Sequence, residues 1–312
     1  MVDPERLYVD LVFRASKKYA NWDPEVTVEV GDYGRITTGH KSWLTFWRHE
    51  QGTFLKEGNI YTDGQAEKWK IPAPKEHGTE SNEGQTWVTS KNARETDVDV
   101  AAGGQTPALA QCKVKASFKV TSGQGAILVM DNDTVTTIDP PGVLRRLLDD
   151  ESMKGLVIVS EAHKSSSFAR LLTAEGTSNV AIGLSVEPPV SGAVSGTVNA
   201  KWVRSSSAGN FKSKVNKDGK RVFTPLFRLV SLVDKEVSSG MRGGDDEVDP
   251  PLPEASPPWL DEEELEEEAD EPTEKKKLVT ILPLLCLLLD EPNWSYRSKR
   301  KSLFNRKAKE SV

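Results

Sequence analysis

His163 and the serines that follow it come closest, in this sequence, to a nucleophilic catalytic site. The hydroxyls of residues 165–167 are groups that a histidine base activates in acyl-transfer enzymes. A working pair also needs an acid that orients the histidine, and none stands at a motif position. The sequence also lacks the GxSxG, HExxH, P-loop and dinucleotide glycine motifs. An enzymatic function is therefore the weakest hypothesis, and we expect no catalytic residue and no cofactor.

Metal-ligating side chains are equally sparse. Residues 131–142, DNDTVTTIDPPG, resemble a calcium loop but lack its glycine and its terminal glutamate at the required offsets. The histidines at positions 40, 49, 77 and 163 have no metal-ligand spacing. Cys112 and Cys286 are far apart, and the charged N-terminus does not resemble a signal peptide. These features predict a reducing, cytoplasmic setting and no bound metal.

Small residues alternate with polar ones in residues 190–202. The valines, the glycines, Ala200 and Trp202 share one face, and the serines, the threonine, the asparagine and the lysine share the other with Ala193. A strand that crosses a bilayer needs about 9–11 residues with such alternation. Segments 111–120, 126–135 and 177–187 have a similar length. The candidate lipid-facing side chains of this strand are Val190, Val194, Val198 and Trp202.

Basic residues crowd the flank of that strand. Each basic side chain close to anionic lipid is worth about 1 kcal/mol of binding free energy. The pattern therefore indicates a surface that binds acidic phospholipids, whereas the alternative is an ordinary antiparallel sheet with one solvated face and a basic loop. The candidate lipid-binding residues here are Lys201, Arg204, Lys212 and Lys214.

The elements that must position these residues are mostly strands. Asp3, Pro4 and Glu5 predict a helix start, and Leu7, Leu11, Val12, Ala15 and Tyr19 follow helical spacing after it. The pattern predicts strands at 26–30, 111–122, 126–130, 156–162 and 221–233, and a short helix at 142–150. Together they predict an α+β fold with a twisted antiparallel sheet and flanking helices.

Charge divides the chain into a body and a tail. The 312 residues have a net charge of −6; residues 234–312 carry 20 acidic and 12 basic side chains, or −8, which leaves +2 for residues 1–233. This asymmetry predicts a body that meets an anionic surface and a tail that can mask it. Residues 234–277 read as an acidic, proline-rich, solvated linker, with a cleavage zone from Asp234 to Trp259.

Residues 278–312 form a short apolar and basic tail. Its apolar run, 278–289, is too short for a bilayer-spanning helix, which needs about 20 residues. The sequence leaves open whether this flexible C-terminal tail is ordered, inhibitory, or an extension with no fixed role.

The body, residues 5–233, resembles the pore-forming domain of the gasdermin family, and in particular the fungal gasdermin-like proteins of heterokaryon incompatibility. The stretches that carry the resemblance are GDYGRITTG, GTFLKEGNIYTDG, QTPALAQCKVKASFKV, TIDPPGVLRRLLDD and SVEPPVSGAVSGTVNAKWVRSSSAGNFKSKVN. Animal members have a large folded C-terminal repressor, whereas this chain has only the linker and the short tail. Fungal members have a similarly short tail, which a subtilisin-like protease removes.

The resemblance implies roles for particular residues. Arg14, Lys17 and Lys18 would lie on a basic first helix that docks on acidic lipid heads. Regions 84–135 and 160–215 would refold into membrane hairpins, four strands per subunit, in a β-barrel of many subunits. The apolar loop that enters the membrane would contain Trp43, Leu44, Phe46 and Trp47.

The leading hypothesis is therefore a latent pore-forming protein, cytoplasmic until cleavage of its tail and active at the plasma membrane as a homo-oligomer. It would cause regulated cell death with no chemical step. The rival is a β-rich intracellular scaffold that docks on acidic membranes or a partner without inserting. Neither hypothesis involves nucleic acid.

Overall fold

A computed structural model describes residues 3–37, 53–79, 84–96, 109, 112–187, 199–233 and 250–260. The chain divides into two units, Met1–Lys277 and Leu278–Val312, and every described residue belongs to the first. No helix among the described residues is both long enough and apolar enough to cross a bilayer. The described part is mostly antiparallel β-sheet with few helices.

The largest sheet, called here the large sheet, has seven strands. Its order is β1-β15-β10-β2-β3, and β9 joins it between β10 and β4. The strands are β1 Tyr19–Ala20, β2 Asp32–Ile36, β3 Phe54–Asn59, β4 Lys75–His77, β9 Thr134–Thr137, β10 Val157–Ser165 and β15 Phe223–Ser231.

Two four-stranded sheets pack face to face beside the large sheet. The inner sheet has the order β14-β11-β8-β5, and the outer sheet has the order β13-β12-β7-β6. Phe118, Ile127, Leu171, Ile182 and Trp202 meet in one buried cluster between them. The strands are β5 Gln85–Thr89, β6 Ala93–Thr96, β7 Cys112–Val120, β8 Ala126–Asp131, β11 Ser167–Leu172, β12 Asn179–Glu187, β13 Asn199–Arg204 and β14 Asn210–Val215.

The first helix, α1 (Pro4–Ser16), lies between the inner sheet and the large sheet. The Asp3 side chain accepts a hydrogen bond from the backbone N–H of Glu5, as an N-cap residue does. Tyr8 and Val12 pack on the inner sheet, while Val9 and Phe13 belong to the core of the large sheet. The helix therefore buries two adjacent stripes, one against each sheet.

Two further helical segments flank the large sheet. They are α2, Gln65–Lys68, and a 3-10 helix, Pro141–Asp149, which occupies the predicted helix at 142–150. Val143, Leu144 and Leu147 of the 3-10 helix are buried in the core of the large sheet. The apolar pattern of that segment thus marks the face that packs.

The eight strands of the sandwich come from two hairpins, each folded over on itself. In the first hairpin, residues 85–131, β5 pairs with β8 and β6 pairs with β7. In the second hairpin, residues 167–215, β11 pairs with β14 and β12 pairs with β13. Each hairpin contributes one pair to the inner sheet and one to the outer sheet, so each bends through the sandwich at mid-length.

The strands at the centre of both sheets keep one register through this bend. In the inner sheet Ala126 pairs with Leu172, and in the outer sheet Lys119 pairs with Asn179. Ala126 follows Lys119 by seven positions, and Asn179 follows Leu172 by seven positions, so the two pairs are in the same register. At the bend itself, the backbone N–H of Thr173 donates to the carbonyl of Gly125 over 2.8 Å. The two sheets are therefore two halves of one continuous antiparallel ribbon.

Specific side chains hold the bends closed. The amide of Asn92 donates to the carbonyls of Ser122 (2.6 Å) and Gln124 (2.9 Å). At the opposite side, Gly209 has φ +87°, and a Cβ there would lie 2.4 Å from the carbonyl oxygen of Leu172. A side chain at that position would therefore force the two strands apart.

Several sequence expectations differ from this structure. The sequence predicts one twisted sheet, whereas the described residues form three antiparallel sheets. Residues 26–30 form turns and loop instead of a strand, although Val28 and Val30 are buried. Leu7 and Leu11 of the expected helical stripe are partly buried and pack against the core beside the inner sheet, whereas Tyr19 lies in β1, beyond the end of the helix.

Candidate functional site

The basic side chains at the end of α1 divide into two groups. Arg14 lies in the last turn, with its Nε 3.6 Å from the Asp10 carboxylate one turn earlier. Lys17 is the C-cap residue in the left-handed region (φ 55°), and its ammonium lies 5.7 Å from the ring centre of Phe13. Both side chains are partly exposed and can reach an anionic surface.

Lys18 does not belong to a basic helix face, which corrects the expectation for it. The helix ends at Ser16, and the Lys18 ammonium turns inward to the Glu161 carboxylate. The same ammonium lies 2.8 Å from Nε2 of His163. Because its side chain is only 18% exposed, Lys18 is a structural ion-pair residue in this conformation.

These contacts belong to a buried charge cluster, defined here as Lys18, Asp133, Glu161 and His163. Nδ1 of His163 lies 3.2 Å from Asp133, and Nε2 lies 3.0 Å from Glu161. Burial by itself raises the pKa of Glu161, but the hydrogen bonds from His163 and Lys18 outweigh it and hold that pKa at about 2. The balance for Asp133 is similar: hydrogen bonds from His163 and Thr86 lower its pKa against burial.

The cluster gives His163 the acidic partners that the sequence does not reveal. Asp133 reaches it through the pairing of β9 with β10, whereas Glu161 lies two residues before it on β10 itself. Of the neighbouring serines, Ser165 and Ser167 lie on different sheets. Within the described residues, no group of three or more His, Cys, Asp or Glu side chains is arranged to hold a metal ion.

The basic residues after β12 have different environments. Lys201 is exposed on the outer sheet. Arg204 folds back over a turn: its guanidinium donates to the carbonyls of Ser207 (2.9 Å) and Ala208 (3.2 Å), and it stacks 4.9 Å from the ring centre of Phe211. Lys201 is therefore available to an anionic surface, whereas Arg204 holds the turn in this conformation.

Lys212 and Lys214 are neutralised by the loop that follows β1. The Lys212 ammonium lies 2.7 Å from Asp23, and the Lys214 ammonium lies 2.5 Å from Glu25. Hydrogen bonds from the two lysines lower the pKa of Glu25. Lipid binding by this pair remains a prediction, and it requires release of three ion pairs, because Lys212 also lies 3.4 Å from Glu25.

The sequence pattern suggests that Trp202 lies at an exposed strand end, but Trp202 lies in the core of the sandwich. It is 2% exposed, and its indole N–H donates to Ser167 Oγ across the sandwich over 3.2 Å. The expected alternation nevertheless holds beside it, since Lys201 is exposed. Val190, Val194 and Val198 lie outside the described residues, as do Trp43, Leu44, Phe46 and Trp47.

Part of the acidic linker packs against the body, which corrects the expectation of a solvated segment there. Residues 250–260, called here the strap, run beside β15: the N–H of Ser231 donates to Pro253, and the N–H of Ala255 donates to Leu229. Proline and small residues allow the strap to lie flat, and its apolar side chains then enter the core of the large sheet. The buried members are Leu252, Ala255 and Leu260.

The strap also contacts α1 and β1. Tyr19 donates its phenolic O–H to the carbonyl of Ala255 over 2.8 Å, and the Arg6 guanidinium lies 4.9 Å from the ring centre of Trp259. The segment between β15 and the strap, 234–249, lies outside the described residues, and with it most of the expected cleavage zone. The strap thus joins the tail to the helix that carries Arg14 and Lys17.

Comparison with protein-family models, with curated proteins and with solved structures finds no match. Functional inference therefore depends on the residues and their geometry.

Proposed function

We propose that this chain is a latent pore-forming protein. Proteolytic removal of its C-terminal tail, by a subtilisin-like protease, frees the body in the cytoplasm. The body then binds acidic phospholipids of the plasma membrane, oligomerises, and converts its two long hairpins into strands of a membrane β-barrel. The result is regulated cell death of the kind that serves fungal allorecognition.

The folded hairpins are the observation that best supports this proposal. Opening the bends would produce a four-stranded antiparallel sheet without breaking any strand pair inside a hairpin or between the two hairpins. The four arms, 85–96, 112–131, 167–187 and 199–215, each equal or exceed the roughly 9–11 residues that a membrane strand needs. An ordinary sandwich does not require one register on both sides of its bend.

Strand alternation supports the same transition. In the folded form, Phe118 faces the sandwich core while Leu128 faces α1. Because side chains alternate along a strand, a straight arm 112–131 would place Phe118, Ala126 and Leu128 on one face. Lys115 and Lys119 would lie on the other face. Straightening would thus produce one face that is apolar along the arm and a second face that is basic at Lys115 and Lys119 and apolar at Ile127 and Val129.

The strap supports a repressing role for the tail. It covers apolar side chains of the large sheet and holds Arg6 of α1 against Trp259. Cleavage in residues 234–249 would cut its covalent connection to β15. The strap would then remain bound only by its own contacts.

Dye release from liposomes tests the proposal. The full chain and a form cut near residue 240 are compared on vesicles with and without acidic phospholipid. Release by the cut form alone, and only with acidic lipid, is the expected result. Vesicle binding without release would favour a scaffold that docks on membranes. Release by both forms would retain the pore but remove the repressing role of the tail.

A further inference from the structure

A cavity of about 310 Å³ lies where the inner sheet, the large sheet and the start of α1 meet. Arg170 of β11 and Lys212 of β14 line it from the inner sheet, and Phe54 and Phe227 line it from the large sheet. Its volume equals that of about ten liquid water molecules, which is the size of a small organic ligand. The proposed pore-forming function does not use this cavity.

Arg170 is the unusual group in the cavity wall. It is only 4% exposed, and within the described part of the chain its one hydrogen bond runs from Nη1 to the side-chain oxygen of Asn210 over 3.1 Å. Its Nε has no hydrogen-bond partner among the described residues. The guanidinium lies 3.5 Å from the ring centre of Trp22, which fixes its plane. Burial lowers the pKa of Arg170, yet a guanidinium keeps its charge at neutral pH.

The other charges around the cavity act on Arg170 only through space, since the carboxylates of Asp23 and Glu5 raise its pKa without forming a salt bridge with it. Lys212 and Asp23 neutralise each other over 2.7 Å. Glu5 forms no salt bridge with Arg170, and its Oε1 is buried without a hydrogen-bond partner. Burial raises the pKa of Glu5, and so does the nearby Asp3. A buried cation with free donors is costly unless an oxyanion pairs with it.

We propose that this cavity binds a small organic monocarboxylate. The carboxylate pairs with the guanidinium of Arg170, whose planar fork suits two oxygens of one group. The carbon body packs against Trp22, Phe54 and Phe227, which form the apolar wall. A phosphate dianion fits less well, because the carboxylates of Glu5 and Asp23 also line the cavity and repel a second negative charge.

Binding of phenylpropionate to the full chain tests this site. Quenching of tryptophan fluorescence reports occupancy because Trp22 lies in the wall, and calorimetry gives the affinity. Phenylpropionamide has the same shape without the charge, and inorganic phosphate has charge without the carbon body. We expect both to bind at least about tenfold more weakly than phenylpropionate, since each lacks one half of the interaction.

A matched pair of variants locates the site. Val26 lines the cavity and is 51% exposed, whereas Val222 is 46% exposed and does not line it. Val26→Trp should fill the cavity and abolish phenylpropionate binding, while Val222→Trp should leave binding unchanged. Both positions are exposed, so both variants should fold. The proposal is overturned if acid and amide bind equally, if phosphate binds more strongly, or if Val26→Trp binds normally. It is also overturned if phenylpropionate does not bind at about 10 mM, roughly the weakest useful affinity.

Discussion

At the scale of single residues, the buried charge cluster borders the part of the fold that the proposed activation would move. Asp133 follows directly after the first hairpin, while Glu161 and His163 lie on β10 of the large sheet. The ammonium of Lys18 connects Glu161 and His163 to the chain just after α1. Loss of one partner of a buried salt bridge strongly destabilises the fold, because the other charge is then buried without compensation. The cluster therefore fixes the position from which the hairpins depart.

Glu161→Gln tests how much this cluster stabilises the latent form. The pKa of Glu161 lies at about 2 in the fold against its ordinary value of 4.5, so its stabilisation is complete above about pH 5 and is lost as pH falls toward 2. This shift corresponds to about 3 kcal/mol. Urea denaturation should show a loss of about this size at pH 7, and the difference from the native chain should shrink below pH 4.5.

Glu57→Gln is the matched control for that measurement. Glu57 pairs with Arg35 at the surface, where a salt bridge contributes at most about 1 kcal/mol. If Glu161→Gln and Glu57→Gln lose the same stability, or if the Glu161 variant keeps the native pH dependence, the cluster does not stabilise the fold in this way.

Asp23→Asn combined with Glu25→Gln tests whether the loop after β1 masks lipid-binding lysines. The double variant removes the partners of Lys212 and Lys214. Each of the two freed lysines should add about 1 kcal/mol near anionic lipid, so co-sedimentation with acidic vesicles should strengthen by about thirtyfold at low salt.

A second double variant separates masking from overall charge. Glu57→Gln with Glu151→Gln changes the net charge equally but removes carboxylate partners of Arg35 and Lys154, away from β14. Equal gains in vesicle binding by the two double variants would show a general charge effect and contradict local masking.

At the scale of elements, the sequence predicts individual strands better than their arrangement. The alternation in β7 and the apolar run of β8 are confirmed, because each pattern reports the burial of its own side chains. Residues 26–30 alternate as a strand does but form a loop, because Val28 and Val30 fill the core without a pairing partner. The bend of the hairpins is invisible in sequence, since register depends on residues distant in the chain.

The candidate site was predictable to a similar degree. Basic residues reveal themselves by type, so the exposed Lys201 and the partly exposed Arg14 and Lys17 agree with the sequence prediction of accessible charge. Their pairing depends on tertiary contacts: nothing local signals that Lys18 meets Glu161 or that Lys212 meets Asp23. The buried Arg170 is missed for the same reason.

A disulfide across one bend tests whether the hairpins must straighten. A Cβ at Gly125 would lie 3.4 Å from Cβ of Ala93 and 3.0 Å from a methyl of Val120, which must shift slightly. Disulfides join Cβ atoms about 3.5–4.5 Å apart. We expect the oxidised Ala93→Cys/Gly125→Cys protein, cut near residue 240, to bind acidic vesicles without dye release, because Ala93 pairs with Val120 in the hairpin and could not separate from Gly125.

Reduction is the internal control for this disulfide. The variant carries Cys112→Ser and Cys286→Ser to prevent mispairing, and dithiothreitol should restore release. Each single cysteine variant should release dye in both redox states. Release at the native rate by the oxidised double variant would mean that this bend stays closed in the pore.

At the scale of the whole molecule, the strap holds the tail to the body through non-covalent contacts as well as through the chain itself. Its apolar side chains complete the core of the large sheet next to Tyr19 and Phe13. Its backbone adds to the exposed edge of β15 through two hydrogen bonds of 2.9 and 3.0 Å. In the proposed mechanism, cleavage alone would leave a non-covalent complex, and dissociation of the strap would limit activation.

Leu252→Asp should release this limit. Leu252 is 4% exposed, so a carboxylate there would be buried without a partner and the strap should bind weakly to the body. Ser256→Asp adds the same charge at an exposed position of the strap and is the matched control.

After cleavage near residue 240, size-exclusion chromatography should show the tail leaving the body in the Leu252 variant and remaining in the control. Dye release should then be faster by at least about tenfold in the Leu252 variant, because a buried charge costs more than 1.4 kcal/mol. Equal release rates, although the tail has dissociated from the Leu252 variant, would remove the repressing role of the tail, and a strap that stays bound in both variants would show that Leu252 does not anchor it.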